Sequence, residues 1–248
     1  MTKFIINADD FGYSRGVNYG IIDAHNQGVL TSTTLMVTMP AVKHAVALMK
    51  DHPTLAVGLH LNLSFKKPLT SGKSLVCENG EFIKPVNLTA DHAYDSGEIW
   101  IELNAQYDEF VKLTGIHPTH MDSHLGSHLK VPSIKEMAIR LSTEKKIPLR
   151  GVDLDHAVHV DFIEHRTFAT TWELDYILRN FNKILKHDFV EIMCHPAYVD
   201  DYVMKNSSHN LQRVEELKFL MSDEFINAMK SKDVKLVTYR EAMKEGSN

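Results

Sequence analysis

Phe4-Ile5-Ile6-Asn7-Ala8-Asp9-Asp10-Phe11-Gly12 runs from three large apolar residues straight into two adjacent carboxylates. A short apolar run that ends in acid is how a strand of a parallel sheet or barrel carries a reactive group to its rim. The pattern recurs at Leu55-Ala56-Val57-Gly58-Leu59-His60, at Thr119-His120-Met121-Asp122-Ser123-His124 and at Phe189-Val190-Glu191-Ile192-Met193-Cys194-His195-Pro196. One histidine at a strand end is ordinarily a hydrogen-bonded structural residue. Four such ends would impose several separate desolvation penalties unless the ionisable groups share one site, and a shared site is the reading adopted.

Outward from these four runs, apolar stretches alternate with helix-like segments. Strands are expected at 4–7, 32–37, 55–60, 117–121, 148–152, 189–194 and 234–238, with helical crossovers between them. Ser14 and Gly28 bracket a helix carrying Val17, Ile21 and Ala24. Ile99, Leu103, Tyr107 and Phe110 lead to a stop at Gly115, and Pro132-Ser133 starts a helix with Ile134, Met137, Ala138 and Leu141. Thr170 and Glu173 have capping-box spacing ahead of Leu174 and Ile177. Leu211, Val214 and Leu217 mark a last helical region, with a restart at Ser222. The fold class is therefore α/β: a distorted or incomplete (β/α) barrel of about seven parallel strands in a single domain, 1–248, with an open doubly wound sheet as the fallback. Two long polar stretches, 64–95 and 197–210, are candidate walls or a lid for a binding site.

The chain has 248 residues, 44% hydrophobic and 24% charged, and a formal charge of -5. Its only adjacent basic pairs are Lys66-Lys67 and Lys145-Lys146, so neither nucleic acid nor an anionic membrane surface is an expected partner. The amino-terminal apolar run meets Asp9 and Asp10 too early for a signal-peptide core, and a cytoplasmic location is expected. Cys77 and Cys194 are far apart with no C-x-x-C pairing, which argues against a disulfide scaffold or a thiolate zinc site.

Asp9 and Asp10 point to opposite sides of an extended segment, and only a turn, which Gly12 permits, lets both approach one centre. One could then hold a cation while the other takes a proton from water. Asp10, His60 and His124 make a two-histidine, one-carboxylate metal set with coordination positions left open. By a strand's two-residue period His120, Asp122 and His124 share a face; His120, Asp122 and His128 are left as groups behind the ligands or against the substrate. His195, before Pro196, is placed to protonate a leaving amine. Arg150 either orients a carboxylate or substrate oxygen or forms a surface salt bridge.

These motifs, together with Thr31-Ser32-Thr33-Thr34, resemble the YdjC-like carbohydrate deacetylases, the family that includes chito-oligosaccharide deacetylase, in order over nearly the whole chain. The resemblance implies a distorted (β/α) barrel and metal-dependent removal of an N-acetyl group from an acetylated sugar. It implies Asp10, His60 and His124 as metal ligands, Asp9 as base and His195 as acid; Arg150, His128 and Asp122 are assigned, apart from the resemblance, to substrate binding. The implied cation is magnesium; the imidazoles themselves favour zinc. Where chito-oligosaccharide deacetylase has consecutive histidines after its Asp-Ser pair, this chain has His124-Leu125-Gly126-Ser127-His128. A metal phosphoesterase and a non-catalytic acetyl-sugar-binding module are the rival functions, and a homodimer is the assembly considered.

Overall fold

The computed structural model describes residues 1–84, 94–163 and 175–245. Seven parallel strands are present among them: β1 (Thr2–Phe11), β2 (Ser32–Leu35), β3 (Ala56–Leu61), β4 (Met121–Ser123), β5 (Asp161–Ile163), β6 (Phe189–Cys194) and β7 (Val234–Leu236). Six form a curled half-barrel in the order β4-β3-β2-β1-β6-β5, and β7 pairs with the first residues of β1. The α/β, incomplete-barrel expectation is met. Every crossover is parallel, which requires a long return connection.

The two faces of β1 set up the rest. Phe4, Ile6 and Ala8 enter the large apolar core beneath the helices. Ile5, on the other face, joins a small cluster with Phe189, Val237, Tyr239 and Ala242. Beyond Ile5 on that inner face come Asn7 and Asp9, where the lining turns from apolar to ionisable.

The helix over Arg15–Gln27 starts as read: the Ser14 hydroxyl accepts from the Val17 amide, and Gly28 follows its end. The helix Ser96–Thr114 stops at Gly115 in the left-handed region, and Pro132 opens the helix Pro132–Lys145. Two strand expectations are corrected. The segment 148–152 is no strand: Lys146 turns the chain just before it and Gly151 within it, both at positive φ, and Leu149 makes a single isolated bridge, to Met121. The described strand before β6 is instead β5, a three-residue piece beginning on a polar Asp161. The run expected at 117–121 starts its strand later, at Met121, after Pro118, which has no amide to donate. The capping-box reading at Thr170 and Glu173 lies outside the described residues. No described helix is long and apolar enough to cross a membrane.

Candidate active site

The turn that brings Asp9 and Asp10 together is made by Asp10 itself. Its φ is 72°, and the pairing of β1 with β2 shifts register between Ala8 and Phe11, the signature of a bulge. Gly12, at φ 94°, completes the turn, and its amide donates to Asn18 Oδ1 at 2.7 Å. Both carboxylates thereby line one cavity of about 730 Å³, with His60, His124 and His195.

Asp10, His60 and His124 converge. Asp10 Oδ1 lies 3.4 Å from His60 Nε2 and 3.1 Å from His124 Nδ1, while its Oδ2 accepts from Arg213 Nη2 at 2.7 Å. His60 is held by its other nitrogen: Nδ1 is 2.6 Å from Asp122 Oδ1, and Asp122 Oδ2 in turn accepts from Thr34 Oγ1 at 2.9 Å. A carboxylate behind an imidazole fixes the ring's tautomer and direction. His124 reaches the site differently from the strand-face reading, because β4 ends at Ser123 and the next three residues form a turn of 3₁₀-helix.

Of the three sequence-assigned substrate residues, Arg150 and His128 line the cavity, though both are largely buried, and Asp122 is set back from it. Asp122 is fully buried against His60, Thr34 and Arg150. His128 is also fully buried; its Nε2 donates to the Arg150 carbonyl at 2.9 Å, so its Nδ1 accepts from the Ser123 hydroxyl at 2.5 Å. Arg150 is no surface salt bridge. Its Nε and Nη2 meet Glu191 Oε1 at 2.8 and 2.7 Å, Nη1 and Nη2 meet Asp9 at 2.8 and 2.7 Å, and Nη1 meets Asp122 at 2.8 Å. A guanidinium has five N–H groups, and these five contacts engage them all. Asp9 is further fixed by Asn7 Nδ2 at 3.0 Å, Asn7 Oδ1 accepts from His120 Nε2, and Tyr239 donates to Glu191.

The opposite wall was not foreseen. The helix Leu211–Leu220 buries Arg213 and Glu216; of its expected apolar stripe Leu217 is buried, while Leu211 and Val214 face solvent. Glu216 accepts the His195 amide, lies 3.9 Å from His195 Nδ1 and accepts from His209 Nε2 at 2.8 Å. The signal available was the i, i+3 spacing of Arg213 and Glu216, which put two opposite charges on one helical face.

Charge in this cluster is unbalanced: Asp9, Asp10, Asp122, Glu191 and Glu216 are buried with two guanidiniums, Arg150 and Arg213. Burial disfavours the ionised form of Asp9, but the Arg150 pair outweighs it and holds the carboxyl far below its usual range. Burial opposes ionised Asp10 too, and Arg213 and His124 overcome it. Burial disfavours a protonated His60, yet Asp122 and Asp10 beside it push its pKa up to about 10. The donor atoms of Asp10, His60 and His124 lie within 4.8 Å of one another, a two-imidazole, one-carboxylate set that a divalent cation fits. His195, in contrast to His60, is pushed down to about 4, chiefly by burial, with Arg213 adding to it and Glu216 opposing.

An inner-face carboxylate–imidazole centre in a half-barrel offers the donor set of a divalent cation. The family model described as YdjC-like protein matches residues 3–231, and the chain belongs to this family. It is 47% identical to carbohydrate deacetylase 2 of Listeria innocua, covering 98% of this chain and all of that one. With the carbohydrate deacetylase of Geobacillus stearothermophilus it shares 41% identity over 97% of this chain and 98% of the relative. Among solved structures, an Enterococcus faecalis protein suggested to act in cellobiose-phosphate cleavage superposes with TM-score 0.83 at 30% identity, covering 97% of this chain and 98% of that one. A family 4 carbohydrate esterase domain from the hindgut metagenome of Trinervitermes trinervoides has TM-score 0.56 at 9% identity, covering 99% of this chain and 91% of that one, a likeness of fold alone.

Proposed function

We propose that this chain is a metal-dependent carbohydrate deacetylase, hydrolysing the N-acetyl group of acetylated amino sugars or oligosaccharides in oligosaccharide degradation. The observation that carries this reading is the sharing of one Asp10 oxygen by His60 Nε2 and His124 Nδ1, with Asp9 tethered beside them by Arg150. A bound divalent cation supplies Lewis acidity to the amide oxygen and lowers the pKa of water. Two imidazoles and one carboxylate favour zinc or another transition ion over the magnesium that the resemblance implies.

Asp9 takes the proton of the attacking water as its oxygen bonds to the acetyl carbon. Held strongly acidic by Arg150, Asp9 keeps that proton only briefly. Burial leaves His195 neutral near pH 7, so the proton it donates to the departing amine has to arrive within the cycle, and the one released from water is available. The carbon–nitrogen bond breaks, leaving acetate and a free amino sugar.

The test is acetate release from N-acetylated mono- and oligosaccharides by metal-loaded protein. Asp9→Asn and His195→Ala are each expected to lower kcat by about 100-fold or more. Unchanged turnover in both would overturn the roles. Phosphate released in place of acetate would favour the phosphoesterase, and sugar binding without any turnover the binding module.

A further inference from the structure

We propose that His195, His209 and Glu216 form a second cation site, selective for zinc, whose occupancy inhibits the enzyme. The inference rests on the role given above to His195 as proton donor. The three residues come from different parts of the chain: the end of β6, the segment 207–210 and the helix Leu211–Leu220. Their donor atoms nonetheless lie within 4.8 Å of one another. Glu216 Oε1 is 2.8 Å from His209 Nε2, Oε2 is 3.9 Å from His195 Nδ1, and the two rings stand 5.2 Å apart at 67°.

Bonds of about 2.0–2.2 Å to zinc set tetrahedral donors roughly 3.4 Å apart, so small side-chain rotations close this set on an ion. Both imidazoles line the cavity with side chains 17% and 19% exposed, which gives the ion a path in. Two imidazoles with one carboxylate select zinc and leave magnesium, an oxygen-seeking ion, weakly bound. Arg213 bonds both the His209 carbonyl and Asp10 and so opposes a cation at either set, but only the first set has a further carboxylate, Asp122, behind one of its imidazoles. The second site therefore fills after the first. Zinc on Nδ1 of His195 uses that nitrogen's lone pair, any proton there leaves to solvent, and the imidazole is lost to proton transfer.

Equilibrium dialysis of metal-depleted protein against Zn²⁺ and, in parallel, Mg²⁺ tests this, with acetate release followed across the same titrations. The wild type is expected to bind two zinc ions, the second at least tenfold more weakly, and to lose activity as the second site fills; magnesium gives no inhibitory phase. His209→Ala and, as a milder variant, His209→Gln are expected to bind one zinc and to shift the inhibitory midpoint at least tenfold upward. Asp10→Asn is expected to keep the weaker zinc. A single zinc in the wild type, or an inhibitory midpoint unmoved in both His209 variants, overturns the proposal. Failure of the deacetylase reading is separate: it appears as no acetate at any metal concentration, with zinc counts unaffected.

Discussion

Arg150 connects three carboxylates through five contacts, and its geometry is what a planar fork can do and an ammonium cannot. Arg150→Met leaves Asp9, Asp122 and Glu191 buried without their cation, and a loss of about 3–5 kcal/mol is expected in urea unfolding. Arg150→Lys keeps a charge but not the fork, and the expectation is a lower kcat with a smaller stability loss. Asp122 acts one layer behind His60. Asp122→Asn removes the charge that steadies the imidazole, and competition dialysis is expected to find metal affinity about 10–100-fold weaker. At this scale the carboxylates and histidines were legible because their types and strand-end positions betray them. Arg150 looked ambiguous because an arginine after a Pro-Leu pair carries no sign of burial, and only three carboxylates contributed by β1, β4 and β6 decide its place.

β3 lies close against the residue that leads into β4 because Gly58 has no side chain. A Cβ there would sit 2.5 Å from His120 Cε1 and 2.7 Å from the His120 carbonyl oxygen, and the latter is backbone that does not swing aside. Gly58→Ala is thus expected to cost about 1–3 kcal/mol in thermal or urea unfolding and to weaken metal binding, since the β3–β4 register pairs His60 with Asp122. Among elements, those with caps and a clean apolar period were legible, such as Arg15–Gln27 from Ser14 to Gly28. The helix Leu211–Leu220 is only partly legible: Leu217 points inward as its apolar period indicates, but Leu211 and Val214 face solvent because Asp10 and His195 call for Arg213 and Glu216 on the inner face. The bulge at Asp10 was legible only as a need for a turn; a non-glycine residue at φ 72° leaves no mark in composition.

The molecule as a whole buries neutral imidazoles beside ionised carboxylates, and this shapes its response to acid. Burial pushes His128 down to about 4, and its two hydrogen bonds specify the neutral ring. In the unfolded chain a histidine titrates near about 6.5, so the unfolded state takes the proton first, and about 3 kcal/mol of stability is lost as pH falls from 6.5 to 4. His195, pushed down to about 4, acts in the same direction. Unfolding of metal-depleted protein across pH 7 to 4 is expected to show this decline, and a flat profile would contradict it. His60, pushed up to about 10, works oppositely: its contribution is full below about 6.5 and fades as pH rises toward 10.

β1 precedes every strand it pairs with, and six of its residues, Lys3 to Ala8, take their ladder from β6, which begins at Phe189. During translation the first strand made must wait on one edge for nearly two hundred residues to follow it out of the ribosome. Until then its apolar residues Phe4, Ile5 and Ile6 are open to wrong partners, which makes the nascent chain a natural client for holding chaperones. Asp9 and Asp10 sit on that waiting strand, so the carboxylate–imidazole cluster assembles late and as a unit, and a chain terminated before residue 189 lacks the β6 ladder that completes it.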